Sequence, residues 1–550
     1  MTQEPNSRPM FRFRCMSQDF PRFWPQFWPW LTLLAWCVPL LLTRSDTQSF
    51  LAHDEGLYAW RARGMLETGD WITPRSWDTL YLHKTPGFYW LLAMGFQVAG
   101  CSEWVARLPA ILAGVGCTLL MYTLGRQLVG PAAGWLGAAL LNLQFLWLSY
   151  SRQAVPDVPL IFGFLLGLTC LLRAETAGRP GQWRFGAGVC WGLALLLKSL
   201  ALIPPLLGLL PYLILEQRRH RHLTSPVLYL GTAAGLIPLL AWLVLAAQAN
   251  GWPTLISALI GVVASGDRVG DQRSTVLYYL WNVPANSFPW FLLGILGVVA
   301  LLRHPVPRYQ SLLLGFPLVV LGVISLMGNR IPHYALPLYP WLALLAGVGL
   351  EQHILAPKHL GRPARGLVVL FTGLGVILCA SVLVLTFPWV QTRLNLGADL
   401  LAYRPAVLVL SLGWLGLILG DRLPRWGLVG LWLGAAWLAL LLAARAGAFG
   451  DYTLGLKAFL ARPAVAGVLD HYAVNFIWDR GGKLSTLLGF YTPILGKRVP
   501  SLEVLEAGHY VWIGPGTPEQ AAGRYRVIGE FEGWELVKTL PPSEAQPQPE

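Results

Sequence analysis

Long runs of apolar residues dominate the chain and are separated by short polar gaps. Runs of roughly 16 to 23 residues are long enough for an α-helix to cross the hydrocarbon core of a bilayer. The pattern therefore predicts a polytopic α-helical membrane protein with thirteen spans. These spans begin near Trp24, Leu108, Pro131, Val155, Trp183, Ala201, Pro226, Pro284, Ser311, Ala335, Gly366, Pro405 and Trp426.

One further apolar run, Phe88 to Gly100, decides the predicted topology because it is too short for a standard span. If it crossed the membrane, the basic cluster from Arg218 to Arg221 and most other basic gaps would lie outside. If it lies along the interface, these gaps fall on the cytoplasmic side, as the positive-inside rule requires. We therefore predict an interfacial helix, with the first loop, from Arg44 to Arg107, and the tail after Phe449 both outside.

The tail differs from the rest of the chain because apolar and polar residues alternate in 509–513 and 525–531, with Gly-Pro turns between them. This alternation predicts strands, and we expect a small α/β domain there. The predicted organisation is a cytoplasmic N-terminus at 1–23, a transmembrane domain at 24–448, an extracytoplasmic α/β domain at 451–540 and a disordered end at 541–550.

Composition supports the membrane class. Only 13% of the 550 residues are charged and 55% are hydrophobic, with a mean hydropathy of +0.51. These values exclude an ordinary soluble enzyme and a disordered chain. The net charge of +13 comes from Arg and Lys in short gaps without a continuous basic face, so we expect the lipid bilayer and not nucleic acid as a partner. The seven cysteines have no metal-type spacing and predict no disulfide framework.

Ionisable residues in the predicted outer loops are the candidates for chemistry. Asp54 lies in the segment from His53 to Tyr58, just after the first span, and Asp157 lies at the outer end of the fourth span. Two carboxylates that converge on one cavity can orient an acceptor, accept its proton or hold a metal. Outer cations suited to a lipid phosphate are Lys84, Arg268, Arg273 and Arg330.

Each candidate also has an ordinary interpretation. Asp54 is equally suited to cap the helix that follows it. The loop arginines can pair with nearby acids such as Asp267 and Asp271, and His53 and His333 are typical loop residues. Lys198, inside an apolar run, is either a functional intramembrane charge or a lysine that snorkels to the interface.

Taken in order, these segments resemble the aminoarabinose transferase and dolichyl-phosphate-mannose protein mannosyltransferase superfamily. The resemblance covers roughly residues 24–350. Its motifs are Asp54-Glu55-Gly56-Leu57-Tyr58, Gly69-Asp70-Trp71-Ile72-Thr73-Pro74, Lys84-Thr85-Pro86, Tyr89-Trp90-Leu91, Ala106-Arg107-Leu108-Pro109, Gln153 to Asp157 and Pro332-His333-Tyr334-Ala335-Leu336-Pro337.

The resemblance implies a GT-C fold glycosyltransferase that uses a polyprenyl-phosphate sugar donor at the outer face of the bacterial plasma membrane. It implies an inverting displacement onto a lipid, polysaccharide or protein acceptor. Asp54 and Asp157 would be the catalytic carboxylates. The donor phosphate would be bound by Lys84, Arg268, Arg273 and Tyr334, with support from Glu55, Tyr58 and His83.

Two departures from the aminoarabinose branch concern a pair implicated in metal binding. That branch usually has Glu before the lysine and a histidine in the later outer loop, whereas here His83 precedes Lys84 and residues 248–282 contain no histidine. The departures argue against metal dependence and against the aminoarabinose substrate. No cofactor is therefore predicted with certainty, and a divalent metal ion remains an open alternative.

Two other functions are compatible with this class of sequence. A polyprenyl-linked sugar flippase would distribute its charges along the membrane midplane and contain paired broken helices. A non-catalytic partner would instead use the outer tail domain for binding. The candidate charges gather at one face, which favours the transferase.

Overall fold

A computed structural model describes residues 27–77, 79–264, 275–356, 360–395, 397–420, 422–450, 453, 455–478, 482–518 and 525–541. Its first half contains α1 (Trp28–Leu42), α2 (Leu57–Thr68), α3 (Gly87–Ala99), α4 (Glu103–Leu128), α5 (Pro131–Leu141), α6 (Phe145–Tyr150), α7 (Asp157–Ala174), α8 (Pro180–Lys198), α9 (Ile203–Gly208), α10 (Leu210–Leu215), α11 (Gln217–His220), α12 (Pro226–Asn250) and α13 (Trp252–Ala264).

The second half of the membrane part continues with α14 (Tyr278–Ser287), α15 (Phe291–Arg303), α16 (Phe316–Leu326), α17 (Tyr339–Leu350), α18 (Arg362–Val384), α19 (Pro388–Arg393), α20 (Ala398–Leu401), α21 (Arg404–Leu415) and α22 (Arg425–Ala446). Two shorter elements matter for the site. One is a π-helical turn at Ala52–Gly56, and the other is a 3-10 helix at Pro332–Leu338.

The helical membrane architecture predicted from the apolar runs is present. Within the described residues, seven helical segments are long and apolar enough to cross a bilayer, and an eighth exists if α14 and α15, which meet at 108°, form one broken span. Helices such as α1, α5 and α21 are apolar but shorter. The chain is therefore multi-pass, while the number thirteen stays a prediction.

The structure divides one predicted span and joins two others. The run that begins at Pro131 is interrupted after Leu141, where the Asn142 amide donates to Thr118 Oγ1 at 3.0 Å and to the Ala138 carbonyl at 3.1 Å. The runs predicted to begin at Trp183 and Ala201 lie within a single apolar segment, Pro180–Gly208. Hydropathy does not show such breaks because the interrupting residues are few.

The tail contains helices and a mixed five-stranded sheet in the order β4-β3-β5-β7-β6. Strand β3 is parallel to β4 and β5, and the β5–β7 and β7–β6 pairs are antiparallel. The elements are α23 (Leu456–Leu460), α24 (Pro463–Leu469), α25 (Lys483–Tyr491), β3 (Val474–Ile477), β4 (Leu495–Arg498), β5 (Tyr510–Ile513), β6 (Tyr525–Phe531) and β7 (Trp534–Thr539), while β1 (Arg75–Ser76) and β2 (Thr79–Leu80) form a small hairpin in the first loop. Strands β5 and β6 occupy the two alternating segments of the sequence.

The tail packs directly on the first loop. The Arg63 guanidinium of α2 donates to the carbonyls of Phe490, Thr492 and Pro493 at 2.6 to 2.8 Å. The Phe50 and Phe490 rings meet edge to face with centroids 4.9 Å apart. The tail therefore buttresses the loop that carries Asp54, whereas its predicted status as a separate outer domain stays a prediction.

Candidate functional site

Asp54 is presented by the π-helical turn Ala52–Gly56, which leads directly into α2. The N-cap position of α2 is occupied by Gly56, so Asp54 does not cap this helix. Its side chain is half-buried, while the neighbouring Glu55 is fully buried. The turn therefore directs two adjacent acids differently, with Asp54 partly accessible and Glu55 in the protein interior.

Glu55 holds this turn in place through a buried ion pair. Its carboxylate accepts from Arg107 Nε at 2.8 Å and Arg107 Nη2 at 3.0 Å, and the two side chains are 1% and 3% exposed. It also accepts from the backbone N–H groups of Leu51 at 3.0 Å and Ala154 at 2.9 Å. Because Ala154 lies three residues before Asp157, Glu55 ties the two acidic segments together.

Arg107 extends this bracing to the end of the first span. Its guanidinium donates to the carbonyls of Ser45, Gln48 and Ser49 at 2.8 to 3.1 Å, in addition to Glu55. A planar fork with five donors suits such a multiple contact. The supporting role predicted for Glu55 thus corresponds to a defined structural contact.

Asp157 is the first residue of α7, and it forms an ion pair with Lys198, the last residue of α8. Lys198 Nζ lies 2.7 Å from Asp157 Oδ1, and the lysine and aspartate side chains are 19% and 12% exposed. Lys198, for which the sequence allowed two interpretations, therefore lies at the candidate site as the partner of Asp157. The sequence shows that Lys198 is a lone lysine in an apolar run. It does not show that the lysine pairs with Asp157, which lies 41 residues earlier in the chain.

Lys84 lies in the segment that leads into α3. Its Nζ sits 4.6 Å from the centroid of the Tyr58 ring, which fits a cation–π contact. The next residue, Thr85, donates to the Leu195 carbonyl at 3.3 Å and accepts from the Ser199 N–H at 3.2 Å. These bonds dock the Lys84 segment onto the end of α8, next to Lys198.

The contact between α3 and α8 leaves no room for a side chain at Gly87, the first residue of α3. A Cβ atom there would lie 2.6 Å from the Leu196 carbonyl oxygen. The glycine thus permits the close approach of α3 to α8. The spacing between the two lysines depends on this contact.

The charges of the site act on one another. Burial raises the pKa of the Asp54 carboxyl above its usual range, and the negative charge of Asp157 raises it further. Lys84 and Lys198 act in the opposite direction on the same carboxyl. The two acids and two lysines therefore form one electrostatic cluster, which we call the charge cluster.

His333 also interacts electrostatically with this cluster, although the sequence interpretation assigned it to a loop. It lies in the 3-10 helix Pro332–Leu338, with Nδ1 2.9 Å from the Tyr150 hydroxyl, and it is within electrostatic range of Asp157 and both lysines. Its neighbour Tyr334, predicted to bind the phosphate, packs edge-on against the His333 ring with centroids 5.1 Å apart. The sequence showed the motif Pro332 to Pro337, and the structure adds that its histidine, His333, interacts electrostatically with Asp157.

The remaining predicted residues are less closely engaged. His83 is exposed, and its Nδ1 lies 2.9 Å from the Ala258 carbonyl of α13. Arg268 and Arg273 lie outside the described residues, so their predicted role is not addressed by the structure. In the described ranges, no group of three His, Cys, Asp or Glu side chains is arranged to hold a metal ion.

An apolar groove of about 670 Å³ runs between α3, α4, α7 and α8. Pro159 and Leu197 line the groove, two residues after Asp157 and one residue before Lys198. Further apolar contributions come from Leu91, Met94, Val105 and Leu112. The groove therefore offers an apolar surface whose residues Pro159 and Leu197 are close in sequence to the Asp157–Lys198 pair.

Comparisons with known proteins agree with this architecture. Residues 83–245 match the family model of dolichyl-phosphate-mannose-protein mannosyltransferases. The crystal structure of ArnT from Cupriavidus metallidurans bound to undecaprenyl phosphate superimposes with a TM-score of 0.74 at 19% identity, covering 94% of this chain and 99% of ArnT. The chain has the GT-C fold.

Two curated relatives of this GT-C chain carry the name undecaprenyl phosphate-alpha-4-amino-4-deoxy-L-arabinose arabinosyl transferase. The protein from Pseudomonas aeruginosa is 34% identical over 194 residues, which is 34% of this chain and 35% of that protein. Transferase 1 from Pseudomonas fluorescens is 27% identical over 435 residues, or 75% of each chain. The match to the first relative thus spans about a third of its length. The resemblance found in the sequence is confirmed.

The segment that matches the mannosyltransferase family model contains part of the charge cluster. Lys84, Asp157 and Lys198 lie inside residues 83–245, and Asp54 lies before them. The structure brings Asp54 to the same place through the Glu55–Arg107 pair. The site is therefore assembled from the first loop and from the ends of two helices.

Proposed function

We propose that the chain is an integral membrane glycosyltransferase that moves a sugar from a polyprenyl-phosphate donor to an envelope acceptor. The observation that carries this proposal is the charge cluster, of which Asp157 and Lys198 lie within two residues of the groove-lining Pro159 and Leu197. A donor of this kind has a long hydrocarbon chain and one phosphate, which are the two features that the groove and the lysines complement. The names of the curated relatives, which include undecaprenyl phosphate, support the same donor class.

In this proposal, Lys84 and Lys198 bind the donor phosphate. Departure of the polyprenyl phosphate builds negative charge on the phosphate oxygens, and cations already in place near a poorly hydrated surface stabilise that charge. Asp157 keeps Lys198 charged and directed toward the site through their 2.7 Å contact. Arg268, Arg273 and Tyr334 are further phosphate-binding candidates.

The transfer is a single inverting displacement. The acceptor oxygen forms a bond to the anomeric carbon as the bond from that carbon to the phosphate oxygen breaks, and the electron pair leaves with the phosphate. With a hydroxyl acceptor, Asp54 receives the proton, and its raised pKa makes the carboxylate a stronger base than an exposed aspartate. A phosphate acceptor would need only to be oriented.

The finer assignments follow from the sequence and remain part of the proposal. The distribution of basic residues places the charge cluster at the outer face of the bacterial plasma membrane, with thirteen spans and the tail outside. The sugar is a hexose or pentose, and the acceptor is a lipid A-like glycolipid, a polysaccharide or a protein.

The broken segment formed by α14 and α15 is the feature that a flippase would share. Transporters of that class use such helices in pairs, and among the described residues one bent pair of this kind is recorded. The charge cluster lies at helix ends and not along the midplane, which favours the transferase.

The proposal is tested by mass spectrometry of envelope glycolipids, polysaccharides and glycoproteins from cells with and without the gene. We expect a sugar mass to disappear from one acceptor and to return with the wild-type gene but not with Asp54→Asn. Glu67→Gln is the matched control, because Glu67 is an exposed acid of the same loop. Full restoration by Asp54→Asn, or movement of lipid-linked sugar without any glycosylated product, would contradict the proposal.

A further inference from the structure

A polar cavity of about 370 Å³ lies at the opposite end of α7 from Asp157. Helix α7 has 18 residues, so its two ends are about 27 Å apart at 1.5 Å per residue. The cavity is lined by Thr123, Arg126, Gln127, Arg173, Arg308 and Tyr309, among others. These residues come from the end of α4, the end of α7 and the segment before α16.

A buried carboxylate, Glu175, holds two of the residues that line this cavity, Arg308 and Tyr309. The Glu175 side chain is 2% exposed and accepts hydrogen bonds from Tyr212, from Arg219, from Arg308 at 2.7 Å and from Tyr309 at 3.2 Å. Although burial alone would raise the pKa of Glu175, these hydrogen bonds hold it below its usual range. The carboxylate therefore remains charged and fixes Arg308 and Tyr309 at the cavity wall.

Three further hydrogen bonds hold these lining residues together. Arg219 Nη2 donates to the Arg308 carbonyl at 2.9 Å, and the Gln127 amide of α4 donates to the Tyr309 hydroxyl at 3.2 Å and to the Leu172 carbonyl at 3.2 Å. The wall thus connects α4, α7 and the segment before α16.

The cavity has an excess of positive charge. The charged residues that line it are Arg126, Arg173 and Arg308, and of these Arg308 is paired with Glu175. Within the described part of the chain, Arg126 and Arg173 have no carboxylate within ion-pair distance. Arg126 instead faces the Tyr122 ring at 5.9 Å. Two guanidinium groups therefore remain available to an anion.

We propose that this cavity binds the phosphate group of an anionic ligand, from either a glycerophospholipid headgroup or free phosphate. Guanidinium groups bind phosphate oxygens through paired hydrogen bonds, and the Thr123 hydroxyl adds a further polar partner. Basic pockets between transmembrane helices on the cytoplasmic side suit anionic lipid headgroups. The site is separate from the charge cluster, because α7 lies between them.

The test measures thermal unfolding of the purified full-length protein in zwitterionic detergent. Two ligands are titrated separately, phosphatidylglycerol and inorganic phosphate. The variants are Arg126→Gln, Arg173→Gln and the double variant, and Arg303→Gln is the matched control because Arg303 is an exposed arginine in the helix that precedes Arg308. The charge cluster is intact in all four variants.

We expect one ligand to raise the unfolding temperature of the wild type and of Arg303→Gln. In the double variant Arg126→Gln/Arg173→Gln, the dissociation constant of that ligand should be at least tenfold larger. A shift with phosphatidylglycerol alone identifies a lipid headgroup as the source, and a shift with inorganic phosphate identifies the free anion. Absence of a shift with both ligands, or an equal weakening in Arg303→Gln, would overturn the proposal.

Discussion

The buried Glu55–Arg107 pair gives the sharpest prediction about the site. The Glu55 carboxylate accepts four hydrogen bonds, two from Arg107 and one each from the N–H groups of Leu51 and Ala154. The Glu55→Gln variant has a single acceptor oxygen and leaves Arg107 without its counter-charge. Breaking a buried ion pair by removing one partner costs about 3–5 kcal/mol.

The matched control is Glu67→Gln, which breaks the pair between Arg63 and Glu67 in the same loop. The Glu67 side chain is 43% exposed, and the 7% exposed Arg63 keeps its three carbonyl acceptors in this variant. Solvent screens such a pair, which contributes about 0–1 kcal/mol. Glu55→Gln should therefore lower the thermal unfolding temperature of the purified protein clearly more than Glu67→Gln does. It should also lower kcat for sugar transfer, because the turn that carries Asp54 loses its anchor.

The double variant Glu55→Gln/Arg107→Gln separates the ion pair from other effects. If the two side chains stabilise the fold through each other, the double variant is destabilised by less than the sum of the single variants. Equal unfolding temperatures for Glu55→Gln and Glu67→Gln would refute this account of the turn.

Three further predictions concern the charge cluster. The raised pKa of Asp54 means that its basic form is lost as pH falls through that pKa, so transfer should decline on the acid side, and Asp157→Asn should move this decline to lower pH because a like charge is removed. Because the pKa of Asp54 is higher in the folded protein than in the unfolded chain, the folded protein binds more protons between these two pKa values. The free energy of unfolding should therefore fall as pH rises through this interval. Asp54→Asn should abolish this pH dependence of the free energy of unfolding. Gly87→Ala would place a Cβ 2.6 Å from the Leu196 oxygen and should lower stability by about 1–3 kcal/mol, whereas Gly64→Ala, whose nearest neighbour is 4.0 Å away, should be tolerated in the same unfolding assay.

Hydropathy was sufficient to predict the helical membrane class, because the energy of burying apolar helices in lipid depends mainly on composition and length. It was not sufficient to number the spans. Helix α5, for example, ends where the single polar residue Asn142 finds buried partners on α4. The strand positions in the tail followed from alternation, but the packing of the tail on the first loop depends on contacts such as Arg63 with Phe490 that no local pattern encodes.

The ordered motifs of the sequence identified Asp54, Asp157 and Lys84, and the structure brings these three residues into one electrostatic cluster. Lys198 was not included because its role depends on where α8 ends relative to the start of α7. His333 was missed for a similar reason, since its position beside Asp157 follows from the packing of the 3-10 helix and not from its sequence neighbours. Catalytic roles for the two acids remain predictions.

The central claim is that the lysines of the charge cluster hold the phosphate of a polyprenyl donor whose chain lies in the apolar groove. The most direct measurement is the affinity of the purified wild-type protein and its variants for undecaprenyl phosphate. We predict that Lys84→Ala and Lys198→Gln each weaken binding at least about tenfold, or about 1.4 kcal/mol, while Lys497→Ala, at an exposed lysine of the tail, binds as the wild type does. Equal affinity in all four proteins would contradict the claim.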